Sequence, residues 1–186
     1  METALGEGGA AIFFVLVALI ALTAVRLTRS YRRWERYLPT VLFMIFCSML
    51  YYFLVRGRLL WEYTPATWVT HWGAELLLSF VVFPCTVLLL LDLLPRSGGK
   101  LRLARYLLNW SFVYLLTEQV ALQMHFMRYH RGWSFGWSVF FVCTMFLILY
   151  LHHRCPLAAY LATVGLIVLY MVWFRIPFPI FLQAVE

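Results

Sequence analysis

The chain has 186 residues, 64% hydrophobic and only 12% charged, with a mean hydropathy of +0.83. A soluble domain holds about half apolar and about a quarter charged residues, so the sequence is written for a bilayer. The net charge of +7 does not indicate nucleic acid, because the basic residues sit in short connections between apolar runs, where they orient the chain and meet lipid phosphates.

Six apolar segments follow in order, near residues 10–25, 38–55, 68–94, 104–124, 133–151 and 157–174. Each approaches the roughly 20 residues that cross about 30 Å of hydrocarbon. The opening METALGEGGA lacks a basic n-region and a small-residue cleavage site, so the first segment is expected to be retained as a helix. Pro39 suits the first turn of the second helix. The third segment is long enough to tilt, and Pro84 in its middle is expected to kink it. Only helices satisfy their own backbone in lipid at this segment length. The expected fold is therefore an all-α polytopic transmembrane bundle of six helices in one domain, 1–186, with the connections read as loops.

Lys and Arg set the expected orientation. Ten lie in the first, third and fifth connections: Arg26, Arg29, Arg32, Arg33, Arg36, Arg96, Lys100, Arg102, Arg105 and Arg154. Five lie on the other side: Arg56, Arg58, Arg128, Arg131 and Arg175. The richer side is expected in the cytoplasm, with both termini extracytoplasmic. Cys47, Cys85 and Cys143 fall inside apolar runs and Cys155 at a loop edge. No metal or disulfide spacing appears, and they are read as small hydrophobes.

Residues 114–137, YLLTEQVALQMHFMRYHRGWSFGW, stand out. Glu118 lies inside an apolar span, where a carboxylate is costly and needs a partner or a task. It falls about 21 Å along its helix from Ala104, toward the outer side. His125 follows two turns later on the same face, and His71 and Glu75 share a face of the third helix. Tyr129, His130 and Trp133 belong to the adjoining outer loop. The candidate polar cluster is thus Glu118, Glu75, His71, His125, His130, Tyr129 and Trp133. Three readings compete. The two glutamates could pair with Arg128, Arg131 or His71 and hold the third, fourth and fifth helices together. Carboxylates and imidazoles could form a proton site or bind Zn²⁺ or Mn²⁺. Glu118 could also be a protonatable group on a substrate path.

Lesser features are Gly132-x-x-x-Gly136 with Ser134 and Ser138, a spacing that fits close helix contact. Asp92 is expected to meet Arg96 or Arg102 at the cytoplasmic surface. His152-His153-Arg154 is read as an interfacial group. No nucleophile elbow, phosphate-binding glycine loop or haem-attachment motif occurs, which argues against easily recognised membrane enzymes and leaves cofactors undetermined.

Several short motifs resemble, in the same order over about residues 31–160, an uncharacterised family of small multi-pass membrane proteins from endospore-forming Gram-positive bacteria. They are Arg33-Trp34-Glu35-Arg36-Tyr37-Leu38-Pro39-Thr40, Leu60-Trp61-Glu62-Tyr63-Thr64-Pro65, Phe83-Pro84-Cys85-Thr86-Val87, Glu118, Tyr129-His130-Arg131-Gly132-Trp133 and His152-His153-Arg154-Cys155-Pro156-Leu157. The resemblance implies a multi-pass fold in a bacterial cytoplasmic membrane, with Glu118 and the Tyr129–Trp133 turn as a unit. It implies no reaction, and His71, Glu75 and His125 fall outside its motifs. The expected role is a non-enzymatic membrane component, with the lipid bilayer and either a second copy or an envelope protein as partners. The alternative is a metal- or proton-coupled small transporter or membrane enzyme.

Overall fold

The computed structural model describes residues 2–55, 58–64, 71–95, 97 and 99–176, with the backbone alone for 2–7 and 71. Helix α1 is Glu2–Thr28, and a short 3-10 turn, Ser30–Arg33, leads into α2, Trp34–Val55. Helix α3, His71–Leu77, passes through a π-helical stretch, Leu78–Val82, into α4, Phe83–Asp92, so these three form one rod. Helices α5, Gly99–Gln123, α6, Phe135–Arg154, and α7, Pro156–Trp173, complete six rods in an all-α bundle. The expected start of the third segment at Trp68 lies outside the described residues.

Five of the rods are long and apolar enough to cross a membrane: Gly8–Thr28, Ser30–Val55, Trp72–Asp92, Phe135–Arg154 and Pro156–Trp173. The fourth expected crossing, on α5, is long enough but does not reach that composition, because it carries Lys100, Arg102, Arg105, Asn109, Glu118 and Gln119. Its exposed Leu108, Phe112, Leu116 and Val120 recur every fourth residue and make one apolar stripe. The apolar surface is thus concentrated on one face.

Pro39 departs from its expected place, and Pro84 adjoins a change of helix type. Helix α2 begins at Trp34, so Pro39 lies inside the helix rather than in its first turn. Pro84 removes a backbone donor and crowds the carbonyl four residues earlier, that of Phe80. Phe80 lies within the π-helical stretch, so the wider turn takes up the misfit at that point. The rod holding Pro84 is the centre of the bundle: 61% of its most apolar window is buried, against 11–28% for the other four crossings. Val87 and Leu90 on α4 pack with Phe146 and Leu149 of α6, all fully or almost fully enclosed.

Two of the connections read as loops pair instead as strands. β1, Trp61–Tyr63, lies antiparallel to β2, Met127–Tyr129, with Trp61 opposite Tyr129 and Glu62 opposite Arg128. Alternation turns Trp61, Tyr63, Met127 and Tyr129 to one face and Glu62 and Arg128 to the other. Beyond the strands, Thr64 donates from its amide to Phe126 O at 2.9 Å and His130 to Leu60 O at 2.8 Å. The inner face packs on α1, with Phe14 edge-on to Tyr63 at 5.0 Å. A side chain at Gly9 would meet the Phe126 ring at 3.1 Å, so glycine is what lets α1 approach this closely. The ribbon therefore closes one end of the bundle.

At the opposite end Asp92 accepts from Arg33 at 2.7 Å, Ser30 at 3.1 Å and Tyr37 at 3.3 Å. Arg102, one of the two expected partners, is not among these. Arg96 lies outside the described residues, and Arg102 donates to Ser97 O. The partners come from the α1–α2 turn because that turn packs on the end of α4.

Candidate functional site

Glu118 sits on the last turns of α5, beside β2 and the start of α6. The Tyr129 hydroxyl donates to its Oε1 at 2.5 Å, and the Ser138 hydroxyl donates to the same oxygen at 2.5 Å. Each hydroxyl has one proton, so the 3.1 Å contact between Tyr129 and Ser138 oxygens follows from their sharing an acceptor. The Trp133 indole donates to Ser138 Oγ at 2.8 Å. Trp133, Ser138, Tyr129 and Glu118 thus form one network joining α5, the ribbon and α6. Burial, and then the bond to Glu118, raise the Tyr129 phenol above its ordinary value. No ion pair between either glutamate and Arg128 or Arg131 occurs among the described residues.

Glu75 is different. It is only 4% exposed on α3, and among the described residues its carboxylate takes part in no hydrogen bond or ion pair. Both glutamates line a cavity of about 560 Å³ running through the bundle. Its wall is mainly aliphatic and aromatic, including Tyr51, Trp61, Trp133 and Tyr170, and among the described residues contains no Lys or Arg. Tyr51 lies flat on Trp61, with centroids 4.3 Å apart, and its hydroxyl oxygen accepts from the Leu60 amide at 2.9 Å.

His125 and His130 do not join this group. The side chain of His71 lies outside the described residues. His125 is exposed with φ 58°. Its amide donates to Leu122 O, and the Phe126 amide to Ala121 O. It is the left-handed residue that ends α5 in a Schellman motif, a backbone role usually given to glycine. His130 points outward to Glu62 at 3.2 Å, with both side chains 42% exposed, and a pair this open contributes little. Among the described residues no three His, Cys, Asp or Glu side chains are grouped to hold a metal ion.

Three further readings are corrected. Gly132 precedes α6 with φ 81° and Gly136 meets only the Ser134 hydroxyl nearby, so the pair is not a packing stripe on one helix within the chain. His152 is buried rather than interfacial: it shares a 3.1 Å hydrogen bond with Thr40 and stacks on Phe43 at 4.2 Å. Ser138, read only as a small residue, is the hub of the Glu118 network. Its position one helical turn after the α6 N-cap Ser134, and five residues after Trp133, was the available signal.

Polar bonds between helices recur elsewhere, from Ser48 to Ser79 at 2.8 Å and from Thr86 to Tyr114 at 2.6 Å. The glue expected of Glu118 is therefore present with hydroxyl partners instead of arginines.

No family model, curated protein or solved structure matches this chain. What the site can do rests on its geometry. A mostly apolar enclosure with a few placed polar groups is the ordinary form of a small-molecule site, and about 300–1,000 Å³ is its usual size.

Proposed function

We propose that the chain is a non-enzymatic, multi-pass component of a bacterial cytoplasmic membrane that holds a small, mostly apolar molecule inside its bundle. The observation that carries this is the cavity of about 560 Å³ with Glu75 and Glu118 in an otherwise apolar and aromatic lining. The motif resemblance supports the bacterial membrane. Binding fits a helical bundle with no recognisable nucleophile motif, and it is also the first step of the transporter alternative.

A direct test uses the cavity tryptophans Trp61, Trp110 and Trp133, in protein reconstituted into nanodiscs. A dodecyl chain brominated at its end should quench part of the fluorescence saturably, and an unbrominated chain should reverse it. Quenching that only rises with partition into lipid would sink the proposal.

The end bearing Asp92 also carries Arg26, Arg29, Arg32, Arg33, Arg36, Lys100, Arg102, Arg105 and Arg154, which supports placing it in the cytoplasm. Cys155, exposed at that end, should then resist a membrane-impermeant maleimide in intact cells. A Ser134→Cys variant, at the ribbon end, should react. The reverse pattern would invert the orientation.

A further inference from the structure

We propose that the molecule bound in the cavity is a cationic amphiphile, an alkyl or aryl chain ending in an ammonium group, and that Glu75 receives the charged head. The inference rests on the cavity reading above and names the chemistry of its ligand. Glu118 attracts attention in the sequence, but its Oε1 already holds two hydroxyl donors and it ties the ribbon to α5 and α6. Glu75 has no such donors among the described residues. A carboxylate that accepts nothing from the described residues while lining an apolar cavity is placed to take up a cationic head, which would supply the partner that a buried charge needs.

Three properties of the enclosure specify that counterpart. Among the described residues its lining has two carboxylates and no Lys or Arg, so an anionic head would meet like charge there and no compensation. Its wall presents the rings of Tyr51, Trp61, Trp133 and Tyr170, and aromatic faces attract ammonium groups, most strongly where water is excluded. Its remaining surface is largely aliphatic, so the rest of the ligand must be apolar. A neutral lipid would satisfy the last property alone. The two carboxylates also divide the work: Glu118 is a positioning residue and Glu75 a binding residue.

The experiment repeats the quenching titration in nanodiscs with brominated dodecylamine, dodecanol and dodecanoate, on the wild-type protein, Glu75→Gln and Glu118→Gln. The amine should bind about ten-fold or more tighter than the alcohol, a difference of about 1.4 kcal/mol, and the carboxylate more weakly still. In Glu75→Gln the amine and alcohol should converge to within about two-fold, a gap under about 0.5 kcal/mol. Retained saturable alcohol binding shows that this variant is folded. Glu118→Gln should keep the preference for the amine. Equal affinities for all three heads on the wild type would overturn the cationic ligand and leave the cavity reading standing. A preference that survives Glu75→Gln, or disappears only in Glu118→Gln, would overturn the role of Glu75. Absence of saturable binding by any of the three would remove both.

Discussion

Trp133→Ala should destabilise the protein by about 3–5 kcal/mol, the usual cost of truncating a buried aromatic side chain. Trp133 is only 6% exposed and shares a buried cluster with Val55, Leu60, Met171 and Ile176. Its ring meets Trp61 at 5.0 Å, Phe174 at 5.4 Å and Tyr170 at 5.7 Å. It therefore joins β1, the start of α6 and the end of α7. Truncation also strips Ser138 of its indole donor. Trp133→Phe separates the two effects: it keeps an aromatic ring in the cluster and loses the N–H, so about 1–2 kcal/mol should go. Unfolding by sodium dodecyl sulfate in mixed micelles, followed by circular dichroism, reads both variants. Equal losses would mean that the hydrogen bond, not the packing, carries the site.

Asp92→Ala should cost about 2–3 kcal/mol, and the loss should appear at the end of the bundle away from the ribbon. Hydrogen bonds to a charged group contribute about 1.5–3 kcal/mol each, but the three here are unequal. Ser30 is fully buried and keeps a second contact, to Thr28 at 2.8 Å. Tyr37 is 4% exposed, and its 3.3 Å bond to Asp92 is the longest of the set. The Arg33 side chain is 52% exposed and recovers water when the carboxylate goes. Asp92→Asn keeps an acceptor and should lose less. The same unfolding titration decides: a loss below about 0.5 kcal/mol for Asp92→Ala, the range of an ordinary surface substitution, would mean that the α1–α2 turn is held by apolar packing alone.

Much of the architecture was legible from hydropathy, because crossing length and backbone self-satisfaction leave a sequence like this few alternatives. The boundaries were less so. Apolar runs mark the hydrocarbon zone, while helices continue past it, as α1 and α2 do when they extend well before Ala10 and Leu38. The ribbon escaped notice because strands of three residues carry too little alternation to stand out: Trp-Glu-Tyr and Met-Arg-Tyr each show one period. Glu118, Tyr129 and Trp133 were recognisable together as costly or interfacial residues in one stretch. Ser138 was not, since a serine in an apolar helix has the same signature whether it packs or donates. His125 was misread because a left-handed helix end depends on backbone geometry that its side chain does not announce. Glu75 stands out in the sequence for its spacing from His71, whereas its distinguishing property is that no described residue partners it, which no sequence displays.

The ribbon also constrains the order in which the molecule can be completed. Thr64 and the His125 carbonyl it binds are 61 positions apart, with the whole rod from α3 to α4 and all of α5 between them. A chain emerging from the ribosome presents β1 long before β2 exists, so its backbone groups must wait while two rods enter the bilayer. The aromatic cluster waits longer still, because Met171 and Phe174 arrive with the end of α7. Pairing at such separation carries a loop-closure cost that local helix formation does not. The cavity therefore acquires its last wall only when α7 has been made, and a chain stopped after α6 would have its central rod in place and its ribbon end unsealed.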